Sequence, residues 1–263
     1  MSTYVAQPYV GITGISTPWE IEAITSKWFE VFDWTETDRR FMNGILVSSK
    51  SLRGEAPSDP QQYPDLGRAR HLMVDDPRVM NTVHFNISGL TERPSRVLKL
   101  GSYLSRVVER LPATEAIQIN LAWPSVDLLK GFREDHSQLI ILQIGAAAYE
   151  ALGHDPGRLV AVLEHYCGVA DYVLIDPSGG TGQPFNLSLA LRTLDALAGS
   201  DLPMLWGIAG GLGPNSLGRL KKLVELYPNL SWDAQGRLRD GEGHLGWAET
   251  FAYLKGSLAL ARR

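Results

Sequence analysis

The chain contains a single cysteine, Cys167, among its 263 residues. No internal disulfide and no cysteine-based zinc site can form from it, which suits a reducing cytosol. In "LVAVLEHYCGVA" the helical spacing sets Cys167 beside Leu163 on an apolar face, so it is expected in the core rather than as a reactive thiol. Long hydrophobic runs are missing as well. No stretch approaches the roughly 18 apolar residues of a membrane span, and "MSTYVAQPYV" has no basic segment leading into an apolar one. The expectation is a cytoplasmic protein with no membrane partner. Basic excess is also absent. With 25 Lys and Arg against 29 Asp and Glu the formal charge is -4, so no net positive field attracts a nucleic acid.

Apolar residues make up 44% of the chain, enough for one large core, and they fall into short β-branched runs alternating with amphipathic stretches. Eight strands are predicted: "YVGIT" (9–13), "GILVSS" (44–49), "TVHFNIS" (82–88), "AIQINLA" (116–122), "LIILQIG" (139–145), "DYVLID" (171–176), "PMLWGIAG" (203–210) and "LSWD" (230–233). Between them lie helices. The first opens on "TPWE", where Thr17 caps, Pro18 takes the first helical position and Glu20 reaches back; Ile21, Ile24, Trp28 and Phe32 follow on one side. Strands separated by helices pair in parallel, and eight such units in this length predict one domain, a closed α/β barrel of (β/α)8 type. Residues 54–81, rich in Pro and Asp, read as an extended loop with a turn or two of helix, either a lid over the mouth or a plain surface insertion.

Several strands are polar on one face near their C-terminal ends, where barrel enzymes carry their chemistry. His84, Asn86 and Ser88 alternate with Val83, Phe85 and Ile87, and Gln118 and Asn120 alternate with Ile117, Ile119 and Leu121. Gln143 and Asp176 sit at the ends of the fifth and sixth runs. Helices cover the outside of a barrel, so these amides face inward. They form either an internal network satisfied with water or a floor that reads carbonyls, ring nitrogens or sugar hydroxyls. Glycine-rich turns follow: "DPSGGTGQPFN" (176–186) carries Gly180 and Gly182, "GIAGGLGPNSLGRL" (207–220) carries Gly210 and Gly211, and "DAQGRL" carries Gly236. Such turns aim backbone N–H groups inward, and clustered after the last three strands they suit a phosphate.

These motifs, taken in order, resemble phosphoribosylanthranilate isomerase. "YVGIT" is similar to that family's Cys-Gly-Ile-Thr, "SSKSLR" (48–53) to its Pro-Lys-Ser-x-Arg, and "IQIN" to its Val-Gln-Leu-His. "VLIDPSGGTGQPFN" resembles its Leu-Leu-Asp segment with Gly-Gly-Thr-Gly-Lys-x-Phe, and "AGGLGPNSL" its Gly-Gly-Leu-x-Pro-x-Asn turn. The resemblance implies a ribulose-phosphate-binding TIM barrel and an Amadori rearrangement of an N-aryl phosphoribosylamine, without cofactor or metal. It implies that Asp176 is the general acid on the furanose oxygen and that Arg53 faces an acidic or aromatic group of the substrate. The family's cysteine base is matched by Val10, which cannot accept a proton, so the base falls to another side chain, Asp233 or His84. Asn120 replaces the family's histidine and Gln183 its turn lysine. The expected ligand is a phosphorylated sugar or nucleotide-like small molecule, held by the glycines at 180, 182, 210, 211 and 236, with Arg53, Asn86, Gln118, Asn120 and Gln143 reading the rest. Without a second proton-transfer group, the same protonation leads to cleavage of the N-glycosidic bond. With no turnover at all, a sugar-phosphate-binding barrel remains.

Overall fold

A computed structural model describes residues 4–33, 36–57, 59–86, 99–176 and 185–262. Eight parallel strands close into a barrel in sequence order: β1 Tyr9–Thr13, β2 Arg40–Ser48, β3 Val79–Asn86, β4 Ala116–Asn120, β5 Leu139–Gly145, β6 Tyr172–Asp176, β7 Leu205–Ile208 and β8 Ser231–Ala234. Closure is made by β1 against β8, with Val10 opposite Trp232 and Gly11 opposite Asp233. Around the barrel run α1 Pro18–Val31, α2 Ser49–Leu52, α3 Leu66–His71, α4 Leu100–Arg110, α5 Val126–Asp135, α6 Ala146–Ala151, α7 Pro156–Leu163, α8 Leu187–Ala198, α9 Leu217–Leu226 and α10 Trp247–Ala261. No described helix is long and apolar enough to cross a membrane.

Strand alternation divides the buried side chains into two layers. Val10, Ile12, Val83, Ile117, Ile140, Val173 and Trp232 pack outward with the helical Ile24, Trp28, Leu104 and Leu194. Tyr9, Met42, Met80, Ile141, Tyr172 and Leu174 form a separate cluster without helical members, the plug inside the barrel. Barrels of this type carry their sites at the C-terminal ends of the strands, beyond such a plug. The predicted capping box is present: Glu20 accepts from the Thr17 N–H at 3.0 Å and Thr17 Oγ1 from the Glu20 N–H.

Two strands start earlier than their apolar runs. In β2, Arg40 is satisfied by an ion pair with Glu115 at 2.9 Å, and Asn43 donates to Asn81 Oδ1 at 3.1 Å and to the Leu72 carbonyl at 2.8 Å. These polar residues are satisfied by partners on β3, before β4 and after α3, and a run-based reading stops at them. Cys167 requires a correction. The thiol is exposed, because α7 ends at Leu163 and tightens into a 3-10 turn over Glu164–Tyr166. At three residues per turn, Tyr166 rather than Cys167 falls under Leu163.

Segment 54–81 holds a turn at 60–62 and the helix α3. Tyr63 Oη accepts from Asn86 Nδ2 at 2.6 Å and Gln62 Oε1 from Gln235 Nε2 at 3.0 Å, so the turn ties the end of β3 to the loop after β8.

Candidate active site

The strand ends beyond the plug enclose a cavity. Its floor is His84 of β3, Gln118 of β4, Gln143 of β5 and Asp176 of β6; its far wall is Asp233 of β8 and the Gln235, Gly236 and Arg237 that follow; Gly210 and Gly211 close the side next to β7. The inward amides form an ordered relay. Gln143 Nε2 donates to Asp176 Oδ2 at 2.8 Å, Gln118 Nε2 donates to Gln143 Oε1 at 3.1 Å, and His84 Nδ1 lies 3.4 Å from Gln118 Nε2. Burial pulls the His84 pKa down to about 4, so the imidazole is neutral at physiological pH and Nδ1 is free to accept from the amide. One carboxylate oxygen of Asp176 is thereby fixed by a donor that cannot itself titrate.

Asp233 stands opposite, in a different environment. Its pKa is pushed up to about 7, chiefly by burial and to a lesser degree by the nearby Asp176, against the hydroxyl of Thr13, which donates to Oδ2 at 2.8 Å and lowers it. Its second oxygen, Oδ1, is buried without a partner among the described residues, as is Gln118 Oε1. The approach of β8 to β1 needs glycine at 11, since a Cβ there would lie 2.8 Å from Asp233 Oδ1 and 2.6 Å from Met42 Cε. Two carboxyls line one cavity, and burial moves the pKa of one of them up to about 7, an arrangement chemically suited to proton transfer.

The β1–α1 turn is locked from the β8 side. Arg239 donates to the carbonyls of Thr13 at 3.2 Å and Gly14 at 2.5 Å, and Gly14, at φ +91°, leaves the space the guanidinium fills. This holds Thr13 against Asp233. After β7, Gly210 and Gly211 both have positive φ, +87° and +70°, a backbone that favours glycine. Neither of their N–H groups meets a protein acceptor among the described residues. The loop then leads through extended Gly213 into a 3-10 turn at Pro214–Ser216. Gly213 allows this loop to touch the next one, because a Cβ would lie 2.8 Å from that of Arg237.

Of the residues singled out in the sequence, Asp176, Gln118, Gln143, Gly210, Gly211 and Gly236 line one cavity. Three others lie off its lining. Asn86 is engaged with Tyr63, Asn120 is exposed at the end of β4, and Arg53, just after α2, pairs with Glu55 at 2.6 Å. Gly180, Gly182, Gln183 and Ser88 fall outside the described residues. Gln235 and Arg237 were not anticipated as lining residues; the signal was the alternation in "SWDAQGR", where Ser231 and Asp233 face inward and the chain continues to Gly236. Val10 belongs to the layer between sheet and helices, and the positions of β1 that face the barrel interior, against Asp233, are Gly11 and Thr13. Among the described residues no group of three His, Cys, Asp or Glu side chains is placed to hold a metal ion.

Comparison with known proteins reaches structures only: no family model and no curated protein matches the sequence. The phosphoribosyl anthranilate isomerase of Thermus thermophilus superposes with a TM-score of 0.58 at 15% identity, over 96% of this chain and 99% of that one. The isomerase of Thermococcus kodakaraensis gives 0.59 at 16% identity, over 95% and 98%. The shared property is the barrel. A further phosphoribosyl anthranilate isomerase, solved in complex with reduced 1-(o-carboxyphenylamino)-1-deoxyribulose 5-phosphate, matches at 0.55 and 17% identity, over 96% and 100%. The chain is therefore a phosphoribosyl anthranilate isomerase-like (β/α)8 barrel in fold.

Proposed function

We propose that this protein is an aldose-ketose isomerase acting on an N-substituted ribosylamine 5-phosphate, with Asp176 and Asp233 as its proton-transfer pair. The observation that carries this reading is the placing of both carboxyls in one cavity with the glycines at 210, 211 and 236. A phosphate at those glycines would be held by backbone N–H groups and flanked by Arg237, which fixes the sugar between the two acids. The barrel shared with isomerases of phosphorylated ribosylamines supports the same ligand class.

The chemistry follows from the two environments. In the reactive state the pair carries one proton, on Asp176, which, held through Oδ2 by Gln143, gives it to the ring oxygen as the C1′–O bond breaks and the nitrogen lone pair closes a C1′–N double bond. Asp233 takes the proton from C2′, and the released pair forms the C1′–C2′ double bond while electrons return to nitrogen. The resulting enolamine becomes the aminoketose by gaining a proton at C1′ and losing the one on the C2′ hydroxyl, which restores both acids. A base that titrates near 7 accepts a proton at neutral pH and releases it again readily. Asp233 thereby takes the role that Val10 cannot, and His84, neutral and tied into the amide relay, acts as a positioning residue.

Incubation with phosphoribosylanthranilate, followed by loss of substrate fluorescence, tests the reading. Turnover that disappears in both Asp176→Asn and Asp233→Asn supports it. Release of free base from a panel of nucleoside monophosphates, with Asp233→Asn still active, would instead favour N-glycoside cleavage. Tight binding of ribose 5-phosphate with no turnover of any candidate would leave a binding barrel.

A further inference from the structure

The cavity does not end at its glycines. On the outer side of Gly211 and Arg237, which both spaces share, a second groove of about 530 Å³ runs between the start of α9 and the start of α10. Its walls carry Arg219, Arg237, Asn215 and Ser216, with Phe185, Pro214, Ala248 and Ala252 as apolar surface. The one acidic lining residue, Glu249, folds back toward Gly246, a Cβ at which would lie 2.5 Å from its Oε2. Arg219 is oriented by a hydrogen bond to the Phe185 carbonyl at 3.3 Å, which uses a single one of its five N–H groups. A terminal phosphate monoester seated at Gly210, Gly211 and Gly236 would leave this groove unused, although it shares Gly211 and Arg237 with that seat and carries two arginines.

We infer that this groove is a second anionic subsite, and that the ligand carries a further phosphoryl group on its phosphate end, as in a 5′-diphosphate or a diester of pyrophosphate. The inference rests on the glycine seat proposed above for the first phosphate. A phosphoryl group is about the size of the gap an arginine bridges with paired N–H···O bonds, and Arg237 faces both spaces, so adjacent phosphates can share it. Phe185, Pro214 and the two alanines then offer apolar contact to whatever continues beyond the second phosphate.

The test is calorimetric titration of the full chain, at fixed ionic strength, with ribose 5-phosphate, inorganic phosphate and inorganic pyrophosphate, repeated on Arg219→Gln. Because Arg219 is exposed and makes one hydrogen bond, the variant is expected to fold, and its phosphate affinity serves as the internal check. The expected result is pyrophosphate binding at least about tenfold tighter than phosphate in the wild type, a ratio that falls below about threefold in Arg219→Gln while phosphate affinity is unchanged. Ribose 5-phosphate and phosphate binding with pyrophosphate no tighter would overturn the subsite and leave the isomerase reading standing. An equal loss for both anions in Arg219→Gln would also overturn it. Binding of none of the three would remove the glycine seat, and with it both the proposed function and this extension.

Discussion

Asp233 makes the protein less stable at alkaline pH than it would be without a buried carboxyl, and the size of the effect can be worked from its titration. The pKa moves from 3.8 to about 7, which corresponds to about 4 kcal/mol at about 1.4 kcal/mol per unit. The folded protein binds this proton more tightly than the unfolded chain does. Its stabilising effect is complete below about pH 4, declines as pH rises toward 7, and is gone above that. Asp233→Asn removes the ionisation and keeps an oxygen for the Thr13 hydroxyl, whose bond to the ionised carboxyl already tempers the rise in pKa. The variant should therefore exceed the wild type by about 4 kcal/mol at pH 8, or roughly 8–16 °C in Tm for a chain of this size. Near pH 4 the advantage should vanish. Urea unfolding at pH 4.5, 6 and 8 measures it. A difference between the two proteins that is the same at all three values would refute the argument, because it would mean that Asp233 titrates normally in the folded state.

Other consequences of the site can be checked separately. Asp176→Asn should lower turnover by at least about 10²-fold while leaving ribose 5-phosphate affinity within a few-fold, read from kinetics and calorimetry together. The same substitution removes a negative charge that raises the Asp233 pKa, so the pH midpoint of the stability difference should move to lower pH while staying above the ordinary carboxylate range, since burial is the larger cause. Replacing Gly211 by valine puts a β-branched residue at φ +70° and should cost about 1–3 kcal/mol in urea unfolding together with loss of phosphate binding. Cys167 should react with a thiol reagent in the native protein, to one equivalent and without denaturant.

The barrel was legible in the sequence because its two periodicities are clean. "LIILQIG" and "YVLID" are continuous apolar strands of the kind that parallel sheets bury on both faces, and "TPWE" announces its helix with a cap that is present in the fold. The floor was legible for a related reason: an amide in the middle of an apolar strand must be satisfied, and Gln118 and Gln143 satisfy each other at 3.1 Å. Contacts between distant segments left no such trace. Nothing near Asn86 points to Tyr63, 23 residues away, and nothing near Arg53 shows that its nearest charge is Glu55 rather than a ligand. Cys167 misled because a helix period was carried one turn past the end of α7.

Position 10 shows why a motif match and a strand face have to be read together. Aligned by "GIT", Val10 takes the place of a catalytic cysteine, and the natural conclusion is a lost base. In the barrel its side chain packs among helix residues, while Gly11 and Thr13, on the opposite face of the strand, turn into the barrel against Asp233. A one-residue change of register carries every side chain of a strand to the other face. The absence of a thiol at Val10 therefore removes nothing from this pocket. What β1 contributes is the space at Gly11 and the hydroxyl of Thr13, and both serve the carboxyl on β8. If Asp233 is the base, as proposed, it sits one strand away from where the motif would place that group, across the β1–β8 seam that pairs Gly11 with Asp233.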